Sequence, residues 1–134
     1  MPDDDRTEKM LVMAVDDDWL NRELLEGLLT VGGWRPLLVA ASVEAEAIAV
    51  RDQPAVILLD VRMPELDGYA LCAALRANPA TRATPIILMS AGAVTAESRQ
   101  QAQVVGAQAI IERPSDADTL TACIRQAINP HEVT

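Results

Sequence analysis

The sequence predicts a single doubly wound α/β domain built on a five-stranded parallel sheet. Three observations carry that expectation: short, almost continuously apolar runs, longer segments at helical spacing between them, and polar or charged residues where the runs end. Strands that are apolar on both sides suit a sheet covered by helices above and below.

The first run, residues 10–15, ends on Asp16-Asp17-Asp18. Leu20, Leu24, Leu28 and Val31 then form a helical stripe, stopped at Gly32-Gly33 where a left-handed C-cap is needed. Trp34 opens the second strand, 37–41, and Ala45, Ile48 and Ala49 mark the second helix. The third run, 55–59, ends on Asp60 and turns through Pro64 and Gly68 into a helix carrying Leu71, Cys72 and Leu75. The fourth, 85–89, ends on Ser90, and the weakly amphipathic helix over 94–105 stops at Gly106. The fifth, 109–111, leads to Arg113. Ser115 and Asp118 stand at capping-box spacing before a last helix with Leu120, Cys123, Ile124, Ala127 and Ile128.

A chain of 134 residues is one domain by its length, and about two thirds of its extended surface can be buried on folding. Half of the residues are hydrophobic but only 2% are aromatic, so the core is aliphatic. A formal charge of -9 without Lys/Arg clusters excludes a nucleic-acid surface. No long apolar stretch and no basic leader followed by an apolar run occur, which disfavours membrane insertion and export. Cys72 and Cys123 fall on helix stripes and read as reduced thiols, so a cytoplasmic location is expected. The expected organisation is an N-terminal tail over 1–9, a stand-alone domain over 10–128 and a C-terminal tail over 129–134. Lys9 and His131, in the tails, carry no proposed role.

Parallel strands present their C-terminal tips along one edge, where such folds bind ligands. Four tips here carry an acid cluster, an acid, a hydroxyl and a cation. Two carboxylates about 4 Å apart repel by about 4 kcal/mol at an effective dielectric near 20, so the edge needs a counter-charge. Magnesium fits, because it takes oxygen ligands and is held by one or two carboxylates plus phosphate. A carboxylate beside it can attack a phosphoryl group and form an acyl phosphate. Ser90 can donate a hydrogen bond to the new phosphoryl oxygens and Arg113 can neutralise them. Taken alone, each residue also has a plainer role: Asp18 as a helix cap, Ser90 as a strand-end turn, Arg113 as a solvated cation.

In combination and order, several motifs resemble the receiver domain of two-component response regulators. They are Val15-Asp16-Asp17-Asp18 with Asn21-Arg22, Leu59-Asp60 through Asp67-Gly68, Ile87-Leu88-Met89-Ser90-Ala91, and Gly106-Ala107 leading to Arg113-Pro114. The resemblance implies a flavodoxin-like (βα)5 fold with strand order 2-1-3-4-5. It implies Asp60 as phosphoacceptor, Ser90 as switch hydroxyl and Arg113 as phosphate partner. For the Mg2+ site it implies Asp16, Asp17, Asp60 and the backbone carbonyl of Arg62, while Arg62 and Gly92 resemble positions that tune phosphate loss. The implied activity is that of a switch, which catalyses only its own phosphorylation and dephosphorylation. Its implied partners are a sensor histidine kinase or phosphotransfer protein and a downstream protein target, with a dimer through the fourth helix, fifth strand and fifth helix.

Two positions depart from the family: Arg113 replaces the usual lysine, and Ile110 replaces the aromatic switch residue of many receivers. They motivate an alternative, a pseudo-receiver that works as a constitutive interaction module. A magnesium-dependent phosphatase with an aspartyl nucleophile ranks last, since Arg62 stands where such enzymes carry a second acid. Trp19 reads as a partly exposed lid near the metal, Trp34 as packing, and Tyr69 as packing or a surface ring.

Overall fold

Ten elements alternate along the chain in the computed structural model, which describes residues 9–130. They are β1 (Leu11–Val15), α1 (Trp19–Val31), β2 (Arg35–Val39), α2 (Ser42–Asp52), β3 (Val56–Asp60), α3 (Gly68–Ala77), β4 (Ile86–Ser90), α4 (Ala96–Val105), β5 (Ala109–Glu112) and α5 (Ala117–Ile128). The strands form one parallel sheet in the order β2-β1-β3-β4-β5, the order that the family resemblance implies. Apart from Lys9, Asn129 and Pro130, the expected tails lie outside the described residues. None of the described helices is long and apolar enough to cross a membrane.

Side-chain alternation along the strands divides the core into two layers. Met13, Val15, Ile57, Leu59, Ile86 and Leu88 face α2, α3 and α4, meeting Ala45, Ala49, Leu71, Cys72, Leu75 and Ala102. Val12, Ala14, Val56, Leu58, Ile87 and Met89 face α1 and α5, meeting Leu25, Leu29, Leu120, Ile124 and Ala127. Both layers are almost entirely aliphatic. Trp34 adds its ring to the second layer and donates its indole N–H to Thr121 Oγ1 at 3.2 Å.

The rotation of α1 differs from the sequence expectation. Leu20, Leu24 and Val31 are 56%, 57% and 78% exposed, while Leu25 and Leu29 are buried. The doubled leucines at 24–25 and 28–29 give two stripes of equal period, and periodicity cannot choose between them. Tethers choose: Asp18 caps the helix through the Asn21 amide, Arg22 donates to the carbonyl of Asp16 at 2.9 Å, and the Trp34 amide donates to Leu29 O at 2.9 Å. An exposed apolar face on α1 is the result.

Smaller differences have equally local causes. β2 begins at Arg35 and runs through Pro36, which an edge strand tolerates because it has a free side. The left-handed residue after α1 is Gly33, not Gly32. α5 is capped by Asp116, whose carboxylate accepts from the Thr119 amide at 2.7 Å, rather than by Ser115. The reciprocal capping box sits on α4, between Thr95 and Ser98.

The two α1 stripes separate cleanly in stability. Leu25→Ala should cost about 2–4 kcal/mol in urea unfolding, and Leu24→Ala less than about 0.5 kcal/mol. The reverse order of costs would mean that the helix is turned as its first stripe suggested.

Candidate functional site

The parallel register aligns the strand ends that carry the chemistry. Val15 pairs with Leu59, Asp60 with Met89 and Ser90 with Glu112, so Asp16, Asp60, Ser90 and Arg113 emerge along one edge. The Arg113 amide donates to Ser90 O at 2.8 Å, fixing the last of these to β4.

Asp16 is fully buried and held from several sides. Its amide donates to Val39 O, its carbonyl accepts from Arg22, and its Oδ1 accepts from the Asp18 amide at 2.9 Å. Asp17 points outward and is exposed, and Asp18 is the helix cap. Only the first two acids therefore join Asp60. Carboxylate oxygens of Asp16, Asp17 and Asp60 lie within 4.8 Å of one another. Trp19 follows this cluster with its ring mostly in solvent.

Asp60 is buried at the last position of β3, and the loop after it is built to keep it there. The Val61 amide donates to Met89 O and the Gly68 amide to Val61 O, both at 2.9 Å. A Cβ on Gly68 would collide with the carbonyl oxygen of Asp60, so this approach of α3 to β3 requires glycine. Between them the Leu66 amide reaches Pro64 O at 2.7 Å around Glu65, whose φ of 71° is a γ-turn conformation rare outside glycine. Buried Ser42 donates to Pro64 O from across the fold at 3.2 Å. Asp67 caps α3 through the Ala70 amide. Ser42 is a supporting residue that nothing in the local sequence marks, because its partner lies 22 positions away.

Arg113 supplies the counter-charge. Its Nη2 donates to Asp60 Oδ1 at 2.8 Å and to Asp16 Oδ2 at 3.3 Å. Burial, then the charge of Asp16, pushes the Asp60 carboxyl up to about 6, against the opposing pull of Arg113. The Arg113 Nε is buried without a hydrogen-bond partner among the described residues. Ser90 reaches the same edge, where its Oγ accepts from the Gly92 amide at 3.2 Å. Arg62 exposes its side chain, and its backbone N–H is a hydrogen-bond donor that lowers the Asp60 pKa. Ile110 packs into the layer under α2, α3 and α4.

Three clustered carboxylates, two buried and one exposed, offer hard oxygen donors at spacing suited to one small divalent cation, and the fit is chemically sound. The arrangement places a buried carboxylate, two further acids, a hydroxyl and a guanidinium on one edge.

Comparison with known proteins agrees with this geometry. The family model described as response regulator receiver domain matches residues 12–125. The response regulator PleD of Caulobacter vibrioides is 36% identical over 114 residues, 85% of this chain, but the chain spans only 25% of that protein's length. Chemotaxis protein CheY4 of Vibrio cholerae superposes with a TM-score of 0.82 at 28% identity, covering 89% of this chain and 98% of CheY4. The receiver domain of sensor histidine kinase PA1611 from Pseudomonas aeruginosa, described with a magnesium ion coordinated in its active site cleft, has a TM-score of 0.80 at 29% identity over 90% of this chain and 98% of its own. With a matching family model over most of its length and the acid edge that such folds carry, the chain belongs to the response regulator receiver domain family.

Proposed function

We propose that this receiver accepts a phosphoryl group on Asp60 from a histidine kinase or phosphotransfer protein, in a Mg2+-dependent reaction, and signals through phosphorylation-dependent protein contacts. The observation that carries the proposal is the Asp60 carboxylate at the sheet edge, within 4.8 Å of two further acids and 2.8 Å from a guanidinium. In the transfer, an Asp60 oxygen bonds to phosphorus as the phosphorus–nitrogen bond of the donor imidazole breaks and its electron pair stays with the ring. The product is an acyl phosphate. Asp16, Asp17, Asp60 and the Arg62 carbonyl would hold the cation, which neutralises phosphoryl charge when bound. Ser90 donates its hydroxyl to a phosphoryl oxygen, and Arg113 balances the added charge. With its carboxyl titrating at about 6, Asp60 is mostly ionised at neutral pH and available as the nucleophile.

The exposed face of α1 supports a helical phosphodonor. Leu20, Leu24 and Val31 recur at helical spacing along a helix that starts beside the acid cluster, and Gly27 has open space around it. The face of α4, β5 and α5, where β5 is an edge strand, is the proposed contact with a downstream target or a second copy. The proposed location is the cytoplasm. Arg113, whose departure from lysine motivates the pseudo-receiver alternative, reaches Asp60 and so keeps a cation where phosphate pairing needs one.

Incubation with magnesium and acetyl phosphate should add one phosphoryl mass to wild type and none to Asp60→Asn, since an amide cannot form the acyl phosphate. Equal labelling of both would move the acceptor elsewhere. Asp17→Ala should weaken magnesium binding by calorimetry at least as much as the roughly tenfold that loss of an outer-shell partner costs a metal site. Unchanged affinity would reduce the acid cluster to a surface feature.

Stability should also depend on pH in chelator. The folded Asp60 carboxyl titrates at about 6, above the ordinary 3.8. The native state thus binds the proton more tightly, and stability falls as pH rises through that window, then levels off. Asp60→Asn should remove this slope and unfold about 3 kcal/mol harder than wild type at pH 8. A wild-type curve that rises across the window would contradict the assignment.

A further inference from the structure

Arg113 uses only part of the fork that its side chain offers. A guanidinium presents Nε–H and the terminal Nη2 side by side along one edge, a pair of donors matched to two oxygens of a single phosphoryl group. Along that edge Nη2 is engaged, touching Asp60 Oδ1 at 2.8 Å and Asp16 Oδ2 at 3.3 Å. Nε is buried and unpartnered among the described residues. Buried N–H donors are nearly always paired, so an empty one beside a functional carboxylate marks a place for an acceptor. The two oxygens bonded to Nη2 come from different residues, and neither pairs with Nε.

The backbone sets how the edge can be filled. The Arg113 amide is bonded to Ser90 O at 2.8 Å and Pro114 follows, so the main chain here is tied to β4. Adjustment falls to side-chain torsions. A group grown on the Asp60 carboxylate, which already touches Nη2, is the nearest source of a second oxygen.

We infer that Arg113 is a side-on phosphoryl clamp, with Nη2 bridging Asp16 and Asp60 at rest and Nε–H and Nη2–H each taking one oxygen of a phosphoryl group on Asp60. The inference rests on Asp60 being the acceptor. It assigns to Arg113 a two-point grip that an ammonium cannot make, since lysine offers charge without a planar pair of donors. The phosphorylated state of this chain is thereby held differently from that of a lysine-bearing receiver, and replacing Arg113 by lysine is not a neutral exchange.

The test uses the full chain, labelled with 15N and treated with magnesium and acetyl phosphate. Intact mass reads loading, and the arginine Nε–Hε spectrum reads the clamp, with the Arg113 signal identified by its loss in Arg113→Lys. The clamp requires the Arg113 Hε signal to move downfield and exchange more slowly with water in the loaded protein. It also requires the phosphoryl increment that Arg113→Lys does gain to be lost several-fold faster than from wild type once the donor is removed. Loading with an unmoved Arg113 signal overturns the clamp and leaves the acceptor in place. No loading of wild type overturns the acceptor and the clamp together.

Discussion

Two carboxylates buried at one sheet edge, held together by a single guanidinium, set the terms for the rest of this structure. Asp16 and Asp60 would repel one another by about 4 kcal/mol at 4 Å and an effective dielectric near 20. Arg113 offsets that repulsion without abolishing it, and the upward shift of the Asp60 carboxyl to about 6 shows what is left. Much of the nearby backbone keeps the acids in place. Arg22 and the Asp18 amide anchor Asp16, and the tight β3–α3 turn with Gly68 anchors Asp60. The stability of the edge is lower than an apolar edge would give, and its reactivity follows from the same cause.

The sheet and the acid edge were legible in the sequence for a physical reason. Fully buried parallel strands must be apolar throughout, so a carboxylate, a hydroxyl or a guanidinium can enter only where each strand ends. Asp60, Asp16, Ser90 and Arg113 therefore stand out against the runs before them, and the structure brings the two acids and the cation into contact. Asp18 as a helix cap was readable as well, from its position before the first helix. The burial of the α1 face was not, because Leu24-Leu25 and Leu28-Leu29 satisfy either rotation. Nor were the long-range anchors. Arg76 on α3 binds the carbonyls of Gly106 and Thr84 and the side chain of Gln108, joining the ends of β4 and β5 opposite the acid edge, and none of these partners is near in sequence.

Family membership and chain-specific chemistry are separable here. Membership follows from fold, order of motifs and the acid cluster. The distinctive features lie on β5 and just beyond it. Ile110 is an aliphatic residue packed into the layer beneath α2, α3 and α4, so no ring at that position can swing toward Ser90. The acid edge is linked to β5 by the Arg113 side chain, which reaches Asp60, and by its backbone amide, which donates to Ser90 O. A planar charged fork stands there in place of a flexible ammonium stem.

The central claim is that Asp60, and no other carboxylate of the cluster, becomes the acyl phosphate. Reductive trapping tests it most directly: borohydride converts an acyl phosphate to the corresponding alcohol, and peptide mass mapping then reads the residue. Homoserine is expected at position 60, with unmodified aspartate at 16, 17 and 18. Homoserine at any of those three positions, or none after proven loading, would contradict it.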